Sequence, residues 1–133
     1  MSGFYNGIKQ ALLSRAVPSA ATLCAVGVND TYVFDATDDA LADFNADILL
    51  PEATLSSVTY TNGILDAADQ EWANAGAGIS DRSLILTGVI LYFKYGSDVW
   101  LIAYIDSASA GLPQSLTGVD ITAIWDSAGI LQL

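Results

Sequence analysis

Two carboxylates in this chain stand at the head of the same tripeptide. The sequence reads AYIDSASAGLP over 103–113 and AIWDSAGIL over 123–131, so Asp-Ser-Ala follows an apolar run at Asp106 and again at Asp126. Aspartic proteases use two Asp-Thr/Ser-Gly loops to bring a pair of carboxyl groups close enough to share a proton, which drives their pKa values apart. Those enzymes have glycine in the third position and take the two aspartates from separate lobes or subunits. Here the third residue is alanine both times, and the two sites lie in neighbouring strand connections. The pattern predicts turn chemistry, in which Asp and Ser side chains bond the backbone where a strand ends.

A second acidic stretch, DATDDALADFNAD over 35–47, raises the question of a metal. A calcium-binding EF-hand loop needs a glycine at its sixth position and a glutamate at its twelfth, and neither is present. A solvated acidic face is the expectation, with a weak divalent site as the alternative. The chain has no histidine and one cysteine, Cys24, in the apolar run TLCAVGV. That removes His-dependent triads, His-containing zinc sites and any intrachain disulfide. With no imidazole to activate it, Cys24 reads as a small buried hydrophobe. GAGIS at 76–80 lacks the lysine and the strand–loop–helix setting of a phosphate-binding loop. No catalytic residue, cofactor site or metal site is expected.

The elements that would have to position such groups read as one mostly-β domain over 1–133. An amphipathic helix is predicted over residues 3–15, with Phe4, Ile8, Ala11 and Leu12 on one face, Ser2 as its cap and Pro18 beyond its end. Residues 21–28 read as a buried strand. From Asn29 to Leu50 the periodicity loosens into a long excursion containing Asp30, Asp35, Asp38, Asp39, Asp43 and Asp47, in which DDALADF predicts one or two helical turns capped by Asp38. Asn62-Gly63 predicts a two-residue hairpin in which Thr61 faces Ile64 and Tyr60 faces Leu65, putting Val58, Tyr60, Leu65 and Ala67 on one buried face. SLILTGVILYFKY and VWLIAYID flank Gly96-Ser97 as a second hairpin. Both strands are apolar on both parities, so they must be covered on both sides. The expected fold is an antiparallel β-sandwich of about seven strands with a short N-terminal helix. Trp72, Trp100 and Trp125 fall in or beside strands and read as core. Tyr32 and Phe34 lie in the excursion, and are candidate anchors at a protein interface or else plain packing residues.

Charge narrows the partners. Fifteen acidic residues against four basic ones give a formal net charge of −11. Lys9, Arg15, Arg82 and Lys94 are scattered, which disfavours nucleic acid and anionic membranes as partners and favours a basic protein surface. The N-terminus lacks a signal-peptide pattern, and the longest apolar run, Val99–Ile105, is far shorter than the ~20 residues of a membrane helix. A soluble protein made in the cytoplasm is expected.

The order of these pieces carries a resemblance. KQALL in the first helix, TLCAVGV, an Asp/aromatic loop, VTYTNGILDAADQEWA, TGVILYFKYGSDVWLIAYIDSA and the terminal GVDITAIWDSAGILQL together resemble a group of small virion proteins of tailed bacteriophages. The likeness covers residues 55–133 well and 8–28 loosely, while 29–50 does not align. The resemblance implies a structural, non-enzymatic role in the virion, made in the host cytoplasm. The first reading is a capsid decoration (cement) protein on the capsid surface, which binds the assembled major capsid protein and also itself, with a closed trimer as the expected homo-oligomer. The alternative is a tail, neck or head-fibre component. A carboxylate hydrolase stands as the third class and requires Asp106 and Asp126 within ~10 Å of each other in a cleft.

Overall fold

The computed structural model describes residues 3–8, 17–61, 64–81, 83–106, 112–125 and 131–132, with backbone alone at 60, 61, 131 and 132. The fold is mostly β and antiparallel. Eleven strands appear among the described residues: β1 (Gly3–Phe4), β2 (Thr22–Asn29), β3 (Ile48–Thr54), β4 (Thr59–Thr61), β5 (Ile64–Asp66), β6 (Gln70–Trp72), β7 (Ile85–Tyr95), β8 (Asp98–Ile105), β9 (Gln114–Ser115), β10 (Ile121–Ala123) and β11 (Leu131–Gln132). The count exceeds seven because several are pairings of only two or three residues.

The main sheet runs β1-β8-β7-β2-β3, with β9 on the far end of β7. Its central strands have no solvent face. In β2, Leu23 and Ala25 point into one apolar cluster while Cys24, Val26 and Val28 point into another. In β7, Val89, Leu91 and Phe93 share the first cluster, and Ile90 and Tyr92 the second. This is why both parities of these strands are apolar. The first face is covered by small antiparallel ribbons, since Leu65 of β5, Trp72 of β6 and Ile121 and Ala123 of β10 belong to its cluster. The second face is covered by the excursion, through Tyr32, Phe44 and the half-buried Phe34 and Leu41, with Tyr5 from the N-terminal segment.

Two local irregularities make this packing fit. Leu91 pairs with Ala103 but Tyr92 pairs with Leu101, leaving Ile102 as an extra residue in β8. Ile102 and Ala103 consequently both reach the first cluster. In the β2–β3 ladder, Gly27 opposes Leu50, and a β-carbon at Gly27 would stand 2.6 Å from Leu50 Cγ. Leu50 fills the space that a side chain at position 27 would need.

The first residues of the N-terminal segment depart from the helix expected over 3–15. Gly3–Phe4 forms an edge strand on β8, Tyr5 N–H donates to the carbonyl of Ile102 (3.0 Å), and residues 6–8 are helical; the expected cap Ser2 and residues 9–16 lie outside the described residues. The edge of β8 offers backbone partners that a glycine-containing helical turn cannot match. In the excursion, two 3-10 turns, Leu41–Asp43 and Asn45–Asp47, stand where one or two helical turns were expected. Asp38 does not cap them. Asp43 reaches back instead, its Oδ2 accepting from the backbone N–H of Asp39 (3.0 Å) and Ala40 (3.1 Å).

The first hairpin follows its expected register, and the second forms where Gly96-Ser97 places it. Thr61 pairs with Ile64 and Tyr60 with Leu65, around turn residues 62–63 that lie outside the described ones. Leu65 is buried, and Val58 and Ala67 pack against the same cluster. Tyr95 pairs with Asp98 across Gly96, which has φ 60° while Ser97 does not have positive φ. Positive φ at the first central residue alone is a type II′ turn.

Gly88 seats an aromatic ring. A β-carbon there would lie 2.3 Å from Cε1 of Tyr104. Gly88→Ala must displace that ring and is expected to destabilise the fold by about 1–3 kcal/mol in urea denaturation. Gly7→Ala, where nothing lies within 4 Å of an added β-carbon, is expected to stay within about 0.5 kcal/mol of the parent.

Candidate functional site

The excursion is fastened by a run of hydroxyls ending in a carboxylate. Tyr5 is fully buried and its hydroxyl lies 2.6 Å from that of Tyr32, which in turn donates to Asp38 Oδ2 (3.1 Å). Because a carboxylate accepts only, the bonds run Tyr5 to Tyr32 to Asp38. Tyr32 makes edge-to-face contacts with Phe44 (centroids 5.7 Å apart) and Tyr104 (5.2 Å), and Phe34 stacks on Tyr104 at 5.9 Å. Tyr5 meets Phe34 edge-on at 5.1 Å. Burial pushes the Tyr5 phenol well above its ordinary range, and its bond to Tyr32 pushes the same way. Burial pushes Tyr32 up to about 12. Asp38 is raised, first by desolvation and then by the neighbouring Asp43, Asp35 and Asp39, against the bond from Tyr32.

Of the two candidate anchors, Tyr32 is a packing residue, only 8% exposed. Phe34 is half-buried, its ring over Gly3. The side chain that faces outward in TYVF is Val33, 80% exposed. Alternation across an extended segment explains the difference, with Tyr32 and Phe34 turned to the sheet and Val33 away from it.

The acidic side chains serve local structure. Asp35 accepts from the backbone N–H (2.9 Å) and hydroxyl (2.7 Å) of Thr37, and those bonds hold its carboxyl below the usual range. Asp47 accepts from the Thr31 hydroxyl, Asp69 from the N–H of Trp125 and Asp120 from the N–H of Asn74. Among the described residues, no group of three or more Cys, Asp and Glu is placed to hold a metal ion. Asp106 follows the end of β8 and is half-buried. Asp126 lies outside the described residues. Cys24 is 1% exposed, with Sγ 3.7 Å from the Thr22 hydroxyl and 3.9 Å from that of Thr54. Trp72 is buried with its indole N–H on the carbonyl of Pro51 (2.8 Å), Trp125 donates to Ala68 O (3.0 Å), and Trp100 packs against the first cluster. Among the described residues, no helix is long and apolar enough to cross a membrane.

One polar constellation has no forerunner in the sequence patterns. Glu52 on the edge strand β3 accepts from the Tyr92 hydroxyl and from Lys94 Nζ (3.0 Å to Oε2), both on β7. The Tyr92 bond comes first, and with Lys94 it outweighs desolvation and holds the Glu52 carboxyl below its ordinary 4.5. The same bond adds to burial in pushing Tyr92 up. Tyr92 and Lys94 share one parity of β7, and Cys24 of β2 sits between Tyr92 and Thr54 of β3 in the ladder. That row across three strands can be assembled only once strand order is known. The arrangement gives a strapped, salt-linked scaffold. No protein-family model, curated protein or solved structure matches this chain.

Two outcomes follow from these bonds. Tyr32→Phe leaves the buried Tyr5 hydroxyl without its acceptor, whereas Tyr5→Phe leaves Tyr32 still bonded to Asp38. The first is expected to cost about 1–3 kcal/mol and the second about 0.5–1.5 kcal/mol in chemical denaturation. A carboxyl whose folded pKa lies below its unfolded value adds stability above the unfolded value and loses it as pH falls through the folded one. The stability gap between the parent and Glu52→Gln is therefore expected to be widest at neutral pH and to close as the pH falls below 4.5. Thermal melts across that range measure it.

Proposed function

We propose that this protein is a structural virion component of a tailed bacteriophage, a capsid decoration protein that seats on the assembled major capsid protein and has no enzymatic role. The observation that carries the reading is the commitment of the polar side chains. Six described carboxylates, Asp35, Asp38, Asp43, Asp47, Asp69 and Asp120, cap turns, hold backbone N–H groups or fasten the strap across the sheet. A body covered on both faces of its main sheet, with a net charge of −11, suits rigid attachment to a basic neighbour. The resemblance of 55–133 to small virion proteins supports the same reading. Decoration of many equivalent coat sites gains from self-association, because linked copies raise each other's effective concentration. A closed trimer is the proposed homo-oligomer, and the capsid surface the proposed location.

Purified protein is expected to co-sediment with expanded coat shells of its phage and to raise the temperature at which they break. Shells that pellet without it overturn the decoration reading, and immunogold labelling at the tail, neck or head fibres would move the protein to that part of the particle. Sedimentation equilibrium of the free protein checks the trimer.

A further inference from the structure

The β6–β10 ribbon extends beyond its three ladder pairs. Ile121 pairs with Trp72, Thr122 with Glu71 and Ala123 with Gln70. At one end Ala75 N–H donates to the carbonyl of Val119 and Gly118 N–H to that of Ala75 (both 2.9 Å), and Asp120 takes the N–H of Asn74. At the other end Trp125 donates to Asp69 through its backbone (3.1 Å) and to Ala68 through its indole (3.0 Å). Residues 118–125 thus lie along 68–75 as one continuous strip. Ile121 and Ala123 point into the core, while Asp120, Thr122 and Ile124 point out. Ile124 is 76% exposed and Val119 52%.

Among the described residues, no strand pairs with the other side of this strip. Among the described residues, 118–125 is hydrogen-bonded only along the β6 side, and the ribbon is a two-stranded sheet. A strand edge of that kind is a template for a further strand. Its chemistry selects the occupant. Asp69, Glu71 and Asp120 are exposed along the ribbon, and neither 68–75 nor 118–125 contains a lysine or arginine. Unlike the main sheet, which is covered on both faces, the ribbon offers outward apolar side chains beside exposed carboxylates, while the one described basic side chain, Lys94, is paired with Glu52. A second copy of a chain with net charge −11 is repelled from such an edge.

We propose that residues 118–125 form a docking edge for an extended, cationic segment of another protein. The segment adds as a strand beside β10, covers Ile124 and Val119 with its apolar side chains and sets its lysines or arginines against Asp69, Glu71 and Asp120. This holds whichever protein carries the segment and does not depend on the virion reading.

The test uses the full chain labelled with nitrogen-15 and a capped peptide of about eight residues alternating lysine and valine. The expected result is saturable amide shifts centred on 118–125, no binding of the matching glutamate–valine peptide, and at least tenfold weaker binding to Ile124→Lys. Thr122→Lys, at a second exposed position, is expected to weaken binding as well, with circular dichroism showing both variants folded. Shifts centred on 30–47, equal affinity of the variants, or no binding of the lysine–valine peptide would each overturn the proposal. So would sedimentation showing that the chain pairs with itself and that Ile124→Lys abolishes the pairing, since the edge would then belong to a second copy.

Discussion

Burial of the central strands on both sides is the constraint from which the rest of the molecule follows. From Leu23 to Asn29 every residue of β2 is buried, and its neighbour β7 is buried from Gly88 through Phe93. A sheet with no wet face needs two covers. The small ribbons built from β4–β6 and β10–β11 supply one, and the Asp-rich excursion supplies the other. The excursion is thereby part of the core, despite a composition that reads as surface. Asn29, the buried polar residue at the end of β2, makes the transition: its Oδ1 accepts from the N–H of Thr31, and its Nδ2 donates to the carbonyl of Ser83. The chain leaves the sheet there and turns back over it.

That role explains where the carboxylates sit. An acidic loop laid over an apolar sheet has many backbone N–H groups that no ladder satisfies, and short Asp side chains are suited to accepting from them. The loop then keeps its aromatic side chains inward and its charge outward. In the Tyr5–Tyr32–Asp38 run a carboxylate of the loop reaches inward to a buried group, and it ties the N-terminal segment and the excursion to each other over the same ring cluster.

The sequence made the strands and their registers legible where periodicity and turn chemistry act locally. The Asn62-Gly63 register, the Gly96-Ser97 hairpin and the two-sided burial of TLCAVGV and of TGVILYF all follow from neighbours a few residues apart. At the N-terminus the apolar spacing of Phe4 and Ile8 fits a helix from residue 3, but Gly3–Phe4 is taken by the edge of β8, which lies near the other end of the chain, and the helical residues begin at 6. Tyr32 was ambiguous for a similar reason, since nothing nearby announces that Tyr5 and Tyr104 will meet it. The glycine seats at 27 and 88 and the Glu52–Tyr92–Lys94 group depend on strand order, which periodicity does not encode. The strip 118–125 likewise shows its ladder side only once the β6–β10 partners are assigned.

The pairing of β2 with β7 has a kinetic meaning. Thr22 meets Lys94 and Val28 meets Gly88, so the innermost ladder cannot close until most of the chain has been synthesised. Closing so large a loop before any long-range contact rewards it slows folding. Until β7 emerges from the ribosome, β2 can pair with β3 on one side only and its other edge stays open, a state in which nascent chains associate wrongly. The hairpins at 59–66 and 85–105 can form early from local contacts, which leaves capture of the waiting β2 by the finished β7–β8 pair as the expected late and rate-setting event.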